Sequence, residues 1–147
     1  MRDYSRKNKK GSDPSTYAFR LLSRKDYSEF ELRHKLEERF DKESAGKVIA
    51  NLIERGLLSD ERYVERVIQK YAFEKKYGFL KVEAELYKKG IYKDIFRQKL
   101  TELVTPEIER EIALKLLSKK PKDKIRAYLL SRGFRPHIVQ EVLADKN

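Results

Sequence analysis

Tyr63, Val64, Val67, Ile68, Tyr71 and Ala72 form an i, i+1, i+4, i+5 stripe that continues for two more positions, a spacing that only a helix places on one face. At roughly 1.5–3 kcal/mol for each large apolar side chain buried, the stripe outweighs any one polar contact beside it. It predicts a helix from Asp60 to Tyr77, stopped by Gly78 as a C-terminal cap. Period-two alternation, the mark of a strand, is absent.

The same period divides the rest of the chain. Ser15 to about Lys25 carries Tyr17, Ala18, Leu21 and Leu22, and Ser28 with Glu31 makes a capping box ahead of Leu32, Leu36 and Phe40. Ser44 is expected to open a third helix with Val48, Ile49, Leu52 and Ile53 on one face and Gly56 beyond its end. After Gly78, one helix carries Val82 and Leu86 and ends at Gly90, and another carries Ile95, Phe96, Leu100 and Leu103. Thr105-Pro106-Glu107 is a further start, since proline at the first helical position loses no needed hydrogen bond. Its face is Ile108, Ile112, Leu116 and Leu117. Pro121 breaks the chain, Ile125, Tyr128 and Leu129 lead to Gly133, and Pro136 opens a last helix carrying Ile138, Val139, Val142 and Leu143.

These nine helices repeat. AFRLLSRK at 18–25 and ALKLLSKK at 113–120 match at alanine, both leucines, serine and the final lysine. The second helix of each group has an i, i+4 apolar pair: Leu32 and Leu36, Val82 and Leu86, Ile125 and Leu129. A basic residue follows each pair at a matching place, at Arg39, Lys89 and Arg132, with glycine next in the two later copies. The fold expected is all-α: a basic, disordered tail over 1–14, then three-helix repeats over 15–58, 59–104 and 105–147, each leaning on its neighbour in an elongated, curved array.

Charge bears on the partner. The 147 residues carry a net charge of +11, with 40% charged and 39% hydrophobic residues, so each helix has only a narrow apolar face to bury. Basic residues exceed acidic ones by 14 to 10 in 1–59, 11 to 8 in 60–104 and 10 to 6 in 105–147; the first ten residues alone supply +4 and the remaining body +7, and such an excess favours a polyanionic partner. With no cysteine, disulfides and thiolate metal sites are excluded. No apolar run approaches the ~18 residues of a membrane span, and MRDYSRKNKKGSDPS has no stretch suited to a signal peptide, so a cytoplasmic, monomeric protein is expected.

Catalysis finds no support in the residues. Asp60 and Glu61 are adjacent, and neighbours on a helix diverge by about 100°. Ser59 as N-cap with both acids facing the positive end of the helix dipole accounts for all three. Glu37 and Glu38 read as solvated surface, and His34 and His137 lack a second ligand at metal spacing. Neither a phosphate-cradling glycine loop nor a nucleophile elbow is present, so no cofactor and no metal are expected.

Several ordered segments together resemble the RecX family, the bacterial regulators of the RecA recombinase. They are ELRHKL at 31–36, VIANLIERGLLSDERYVE at 48–65, KKYG at 75–78 and EAELYKKGI at 83–91. The resemblance runs over roughly 15–147, with Tyr63 where the family more often has phenylalanine and Phe40 in place of a turn glycine. It implies a non-enzymatic protein that lies along a RecA filament on single-stranded DNA and opposes its extension, ATP hydrolysis and strand exchange, with single-stranded DNA as a further direct contact. The residues that carry it, Gly56, Leu57, Leu58, Ser59, Asp60, Glu61, Arg62, Tyr63, Gly78 and Gly90, are expected to be mainly structural.

The candidates for contact with RecA or DNA are the cations near helix ends: Arg24, Lys25, Arg39, Lys75, Lys76, Lys88, Lys89, Lys119, Lys120, Arg132 and Arg135. The competing role is neutralisation of the negative helix termini. Tyr77, Tyr87 and Tyr92 flank the glycine turns and could stack on bases, whereas Tyr63, Tyr71 and Tyr128 are assigned to the core. The alternative function is a helix-turn-helix transcription regulator. The threefold repetition, and the lack of one helix rich in base-reading Arg, Asn and Gln, argue against it.

Overall fold

The computed structural model describes residues 13–117 and 122–146, which fold as nine α-helices and one π-helical segment without a strand among them. In chain order the helices are α1 (Pro14–Arg24), α2 (Glu29–Glu37), α3 (Lys42–Glu54), α4 (Asp60–Ile68), α5 (Phe79–Lys88), α6 (Lys93–Leu103), α7 (Pro106–Lys115), α8 (Lys122–Ser131) and α9 (Pro136–Lys146), with the π segment Gln69–Glu74 following α4. Most of the expected basic tail and the break at Pro121 lie outside the described residues. Two compact units divide the chain, Met1–Tyr63 and Val64–Asn147.

In the first unit, Asp13 caps α1 by accepting the Thr16 N–H at 2.7 Å, and Pro14 takes the first turn. The capping box forms as predicted: the Ser28 hydroxyl accepts the Glu31 N–H and the Glu31 carboxylate accepts the Ser28 N–H, each at 3.0 Å. Helix α3 starts earlier than Ser44. Asp41 is its N-cap, accepting the Ser44 N–H at 2.8 Å, because the longer reach to a carboxylate one turn upstream satisfies a donor that Ser44 itself presents. Gly56, at φ 73°, ends α3. Ala18, Leu21, Leu32, Leu36, Phe40, Ala45, Ile49, Leu52 and Leu58 are among the side chains of its core.

The second unit departs most from the sequence reading. The helix expected over Asp60 to Tyr77 is α-helical only to Ile68 and then widens into the π segment, with the Lys75 N–H donating to the Lys70 carbonyl at 2.9 Å. Gly78 is no C-terminal cap: at φ −82° it is the N-cap of α5. Its role is close approach, since a Cβ there would stand 2.3 Å from the backbone of Phe134. The three N–H groups that open α5 all find partners far along the chain. Gly78 donates to the Arg132 carbonyl at 2.9 Å, Phe79 to the Glu109 carboxylate at 3.0 Å, and Leu80 to the Gly133 carbonyl at 2.9 Å. Thr105 and Pro106 start α7 as expected, and α9 packs on α7 and α8. Ile91, Phe96, Leu100, Ile112, Ile125, Leu129, Phe134, Ile138 and Val142 are buried.

One device appears in both units. The first N–H of α2, on Glu29, donates to the Asp60 carboxylate at 2.8 Å, and the first N–H of α5, on Phe79, donates to Glu109. In each case a carboxylate from the helix two places further along the chain, α4 for α2 and α7 for α5, fills an orphan donor at the helix start, each such cap being worth about 1 kcal/mol.

Candidate functional site

The π segment and the turn after it gather cations around two tyrosines. The Tyr71 and Tyr77 rings stack with centroids 6.1 Å apart and 27° between planes. The ammonium groups of Lys75, Lys70 and Lys89 lie 5.1, 5.8 and 5.9 Å from the centre of the Tyr71 ring. Lys81 lies 5.5 Å and the Arg132 guanidinium 4.4 Å from that of Tyr77. A cation over an aromatic face is attracted by the ring quadrupole, so the stacked pair offsets part of the repulsion among its neighbours. Among the described residues, no ion pair engages Lys70, Lys75 or Lys81.

The residues proposed from the sequence divide into those in this cluster, those committed elsewhere and those apart from it. Lys75, Lys89 and Arg132 are in it. Lys76 adjoins it, half-buried and held at φ 61°, where its carbonyl accepts the Arg132 Nε–H at 3.2 Å. The other end of that guanidinium donates to the Lys75 carbonyl, so Arg132 ties off the π segment and is structural as well as basic. Arg135 is committed: its guanidinium pairs with the buried Glu109 at 2.6 Å and lies 4.1 Å from the Phe79 ring centre. Lys88 pairs with Glu85 at 3.4 Å. Arg24 is exposed, Lys25 stands over the Tyr27 ring at 4.8 Å, and Arg39 over Tyr17 at 4.4 Å, all three in the first unit. Lys119 and Lys120 lie outside the described residues.

Lys70, Lys81 and Tyr71 escaped the sequence reading. Lys70 sits inside the π segment, and Lys81 in the first turn of α5, at the helix start, where a cation does not suit the dipole. Tyr71 was assigned to the core, yet it is only half-buried, because the wider π turn rotates it away from the stripe that Tyr63 and Val67 begin.

The first unit has a shallow hollow of about 220 Å³ beside α2, lined by Lys25, Tyr27, Phe30, Glu31, His34, Lys35 and Glu38. His34 packs edge-on against Phe30 with centroids 4.3 Å apart. Charges of both signs on its wall give it no single ligand chemistry. No group of His, Asp and Glu side chains suited to a metal ion occurs among the described residues, and no helix there is long and apolar enough to cross a membrane.

Comparison with known proteins places this geometry. Regulatory protein RecX of Mannheimia succiniciproducens is 35% identical over 133 residues, spanning 81% of this chain and 84% of that protein. Regulatory protein RecX of Thermus thermophilus is also 35% identical, over 128 residues covering 84% and 85%. The chain belongs to the RecX family. Residues 16–52, which hold most of α1 to α3, match the family model described as RecX, first three-helix domain. The crystal structure of RecX from Lactobacillus salivarius has the same fold, with a TM-score of 0.78 at 22% identity over 90% of this chain and 93% of that one.

Within this RecX chain the segment GLLSDERY, residues 56–63, leads from the end of α3 into α4. Ser59 caps α4 by accepting the Arg62 N–H at 3.2 Å, and the Arg62 guanidinium returns to the Gly56 carbonyl at 2.9 Å. Asp60 reaches α2, and the Tyr63 hydroxyl donates to Glu31 at 3.0 Å, adding a third partner to the α2 capping box. Leu58 is buried and Leu57 is exposed. Half-burial, with the Glu29 and Glu31 charges close by, pushes the Asp60 carboxyl up from its ordinary range, and the Glu29 N–H only partly opposes this. A carboxylate engaged in two helix starts is not a free acid or base. Gly90, at φ 75°, ends α5 as expected.

Proposed function

We propose that this protein binds the RecA filament on single-stranded DNA and restrains its extension, ATP hydrolysis and strand exchange. The observation that carries the proposal is kinship with regulatory proteins RecX along more than four-fifths of both chains. The excess of basic over acidic residues in the helical body, 21 to 14 over residues 60–147, supports a polyanionic assembly as the partner. Regulation is by binding alone, in the cytoplasm, with no cofactor consumed. Arg24, Lys25, Arg39, Lys75 and Lys89, all at the surface or half-exposed, are the contacts expected to matter for the filament.

The test adds the purified chain to RecA filaments preformed on single-stranded DNA and follows ATP hydrolysis. Inhibition at well below one molecule per RecA is the expected result. Unchanged hydrolysis there and at one to one overturns the proposal.

A further inference from the structure

The lysines around the stacked tyrosines have a chemistry of their own. Lys70, Lys75 and Lys89 surround Tyr71, and Lys81 stands by Tyr77, so four ammonium groups lie within 6 Å of two rings that are themselves in contact. Like charges this close raise one another's energy, and the ring faces return only part of it. Carboxylates would be the ordinary neutralisers, and among the described residues none pairs with Lys70, Lys75 or Lys81. Two of the four, Lys70 and Lys75, belong to or adjoin the π segment, a departure from α geometry found often at functional sites. The arrangement holds positive charge in place for an anion to complete.

We infer that Lys70, Lys75, Lys81 and Lys89 form a binding site for the sugar-phosphate backbone of a single nucleic-acid strand, read without regard to base sequence. It rests on the filament reading above only in naming DNA as the strand. A single strand carries one charge per nucleotide on a flexible chain and can curl several phosphates onto a compact cluster. A duplex, whose persistence length is about 50 nm, holds its phosphates on a stiff frame, so fewer of them can converge on the cluster. Because the ammonium groups occupy the approaches to the rings, phosphates and not stacked bases are the groups recognised, and pyrimidine and purine strands should bind alike. An acidic protein surface also carries negative charge, but fixed on a rigid frame it would have to match four positions at once.

The test measures binding of the full chain to a fluorescent single-stranded oligonucleotide by anisotropy across a salt series, without RecA. A triple variant, Lys70→Ala, Lys75→Ala and Lys81→Ala, is compared with a charge-matched control, Lys42→Ala, Lys93→Ala and Lys124→Ala, whose side chains are exposed and outside the cluster. Each phosphate contact contributes about 0.7 to the log–log salt slope for a single strand, so the triple variant should lose about 2 in slope and roughly a hundredfold in affinity near 0.1 M salt. The control should change far less. Lys75→Gln alone should lower the slope by about 0.7, which keeps the test decisive if circular dichroism shows the triple variant misfolded.

Equal losses in the two triple variants would mean diffuse charge and overturn the site. So would duplex binding as tight as single-strand binding, or competition by polyglutamate as effective as by unlabelled oligonucleotide at equal charge. The absence of RecA separates the two proposals. A negative hydrolysis assay with normal oligonucleotide binding leaves this site standing, and the reverse outcome removes it while the filament reading stands.

Discussion

Gly78 lies so close to Phe134 that a Cβ on it would stand 2.3 Å from the Phe134 backbone N and Cα. The obstacle is main chain on both sides, so no rotamer change relieves it. Gly78→Ala must part the start of α5 from the turn between α8 and α9, breaking the bonds to Arg132, Glu109 and Gly133 together. We expect a loss of about 3 kcal/mol or more, or roughly 6–12 °C in Tm, in a thermal melt followed by circular dichroism. Gly46 supplies the contrast: inside α3, its nearest atom to an added Cβ is the end of the Arg33 side chain at 3.6 Å. Gly46→Ala should therefore stabilise by about 1 kcal/mol. Equal effects of the two changes would refute this account of Gly78.

Glu109 has no exposed surface, yet it carries the Phe79 N–H, the Arg135 N–H at 3.0 Å and the Arg135 guanidinium. Removing either charge strands the other. Glu109→Ala and Arg135→Ala should each cost about 3–5 kcal/mol in urea denaturation, and the double variant should cost much less than their sum. Additive losses would show that the pair is not coupled.

Arg132 donates through both arms of its fork, to the Lys75 and Lys76 carbonyls, and so ties down the turn after the π segment, where Lys76 stands at φ 61°. Lysine keeps the charge but has one ammonium in place of the planar fork. Arg132→Lys should thus lose about 1–2 kcal/mol of stability while nucleic-acid affinity, measured well below the melting range, falls less than threefold. A loss of affinity with unchanged stability would reverse the assignment.

What could be read from the sequence is what is local. The Ser28 and Glu31 box, the Thr105-Pro106 start and the left-handed glycines 56 and 90 each act within a few residues of where they stand. The role of Gly78 is not local: its N–H bonds the Arg132 carbonyl and its Cα lies against the Phe134 backbone, both more than fifty residues on, and a glycine after an apolar stripe looks the same whether it ends one helix or lets two backbones touch. The cluster was half legible for a related reason. Lys75 and Lys89 stand at helix ends, where cations attract notice, but Lys70 and Tyr71 join them only because the helix widens after Ile68, which the regular spacing of the stripe concealed.

Asp60 makes the pH dependence of the first unit specific. Its carboxyl is raised above the ordinary 3.8, first by burial and then by the Glu29 and Glu31 charges. An acid raised in the folded state binds its proton more tightly there than in the unfolded chain. Stability therefore falls as pH rises through the window between the ordinary value and the raised one, and the cost is fully present above it. Asparagine keeps an oxygen to accept the Glu29 N–H and removes the charge that is costly to bury. Asp60→Asn should raise Tm at pH 7 and lose that advantage as pH falls below the ordinary carboxylate value, where the native residue is protonated as well. Asp60→Ala removes the acceptor and should lower Tm at both pH values, by the ~1 kcal/mol of a lost cap. Asp41 runs the opposite way: hydrogen bonds from Ser44 lower its carboxyl, so what it contributes is present above 3.8 and lost as pH falls through its depressed value. Melts of the Asp60→Asn and Asp41→Asn variants between pH 3 and 7 separate the two, since the first should gain on the native chain as pH rises and the second should lose. Parallel curves for the two variants would mean that neither carboxyl is shifted by the contacts described for it.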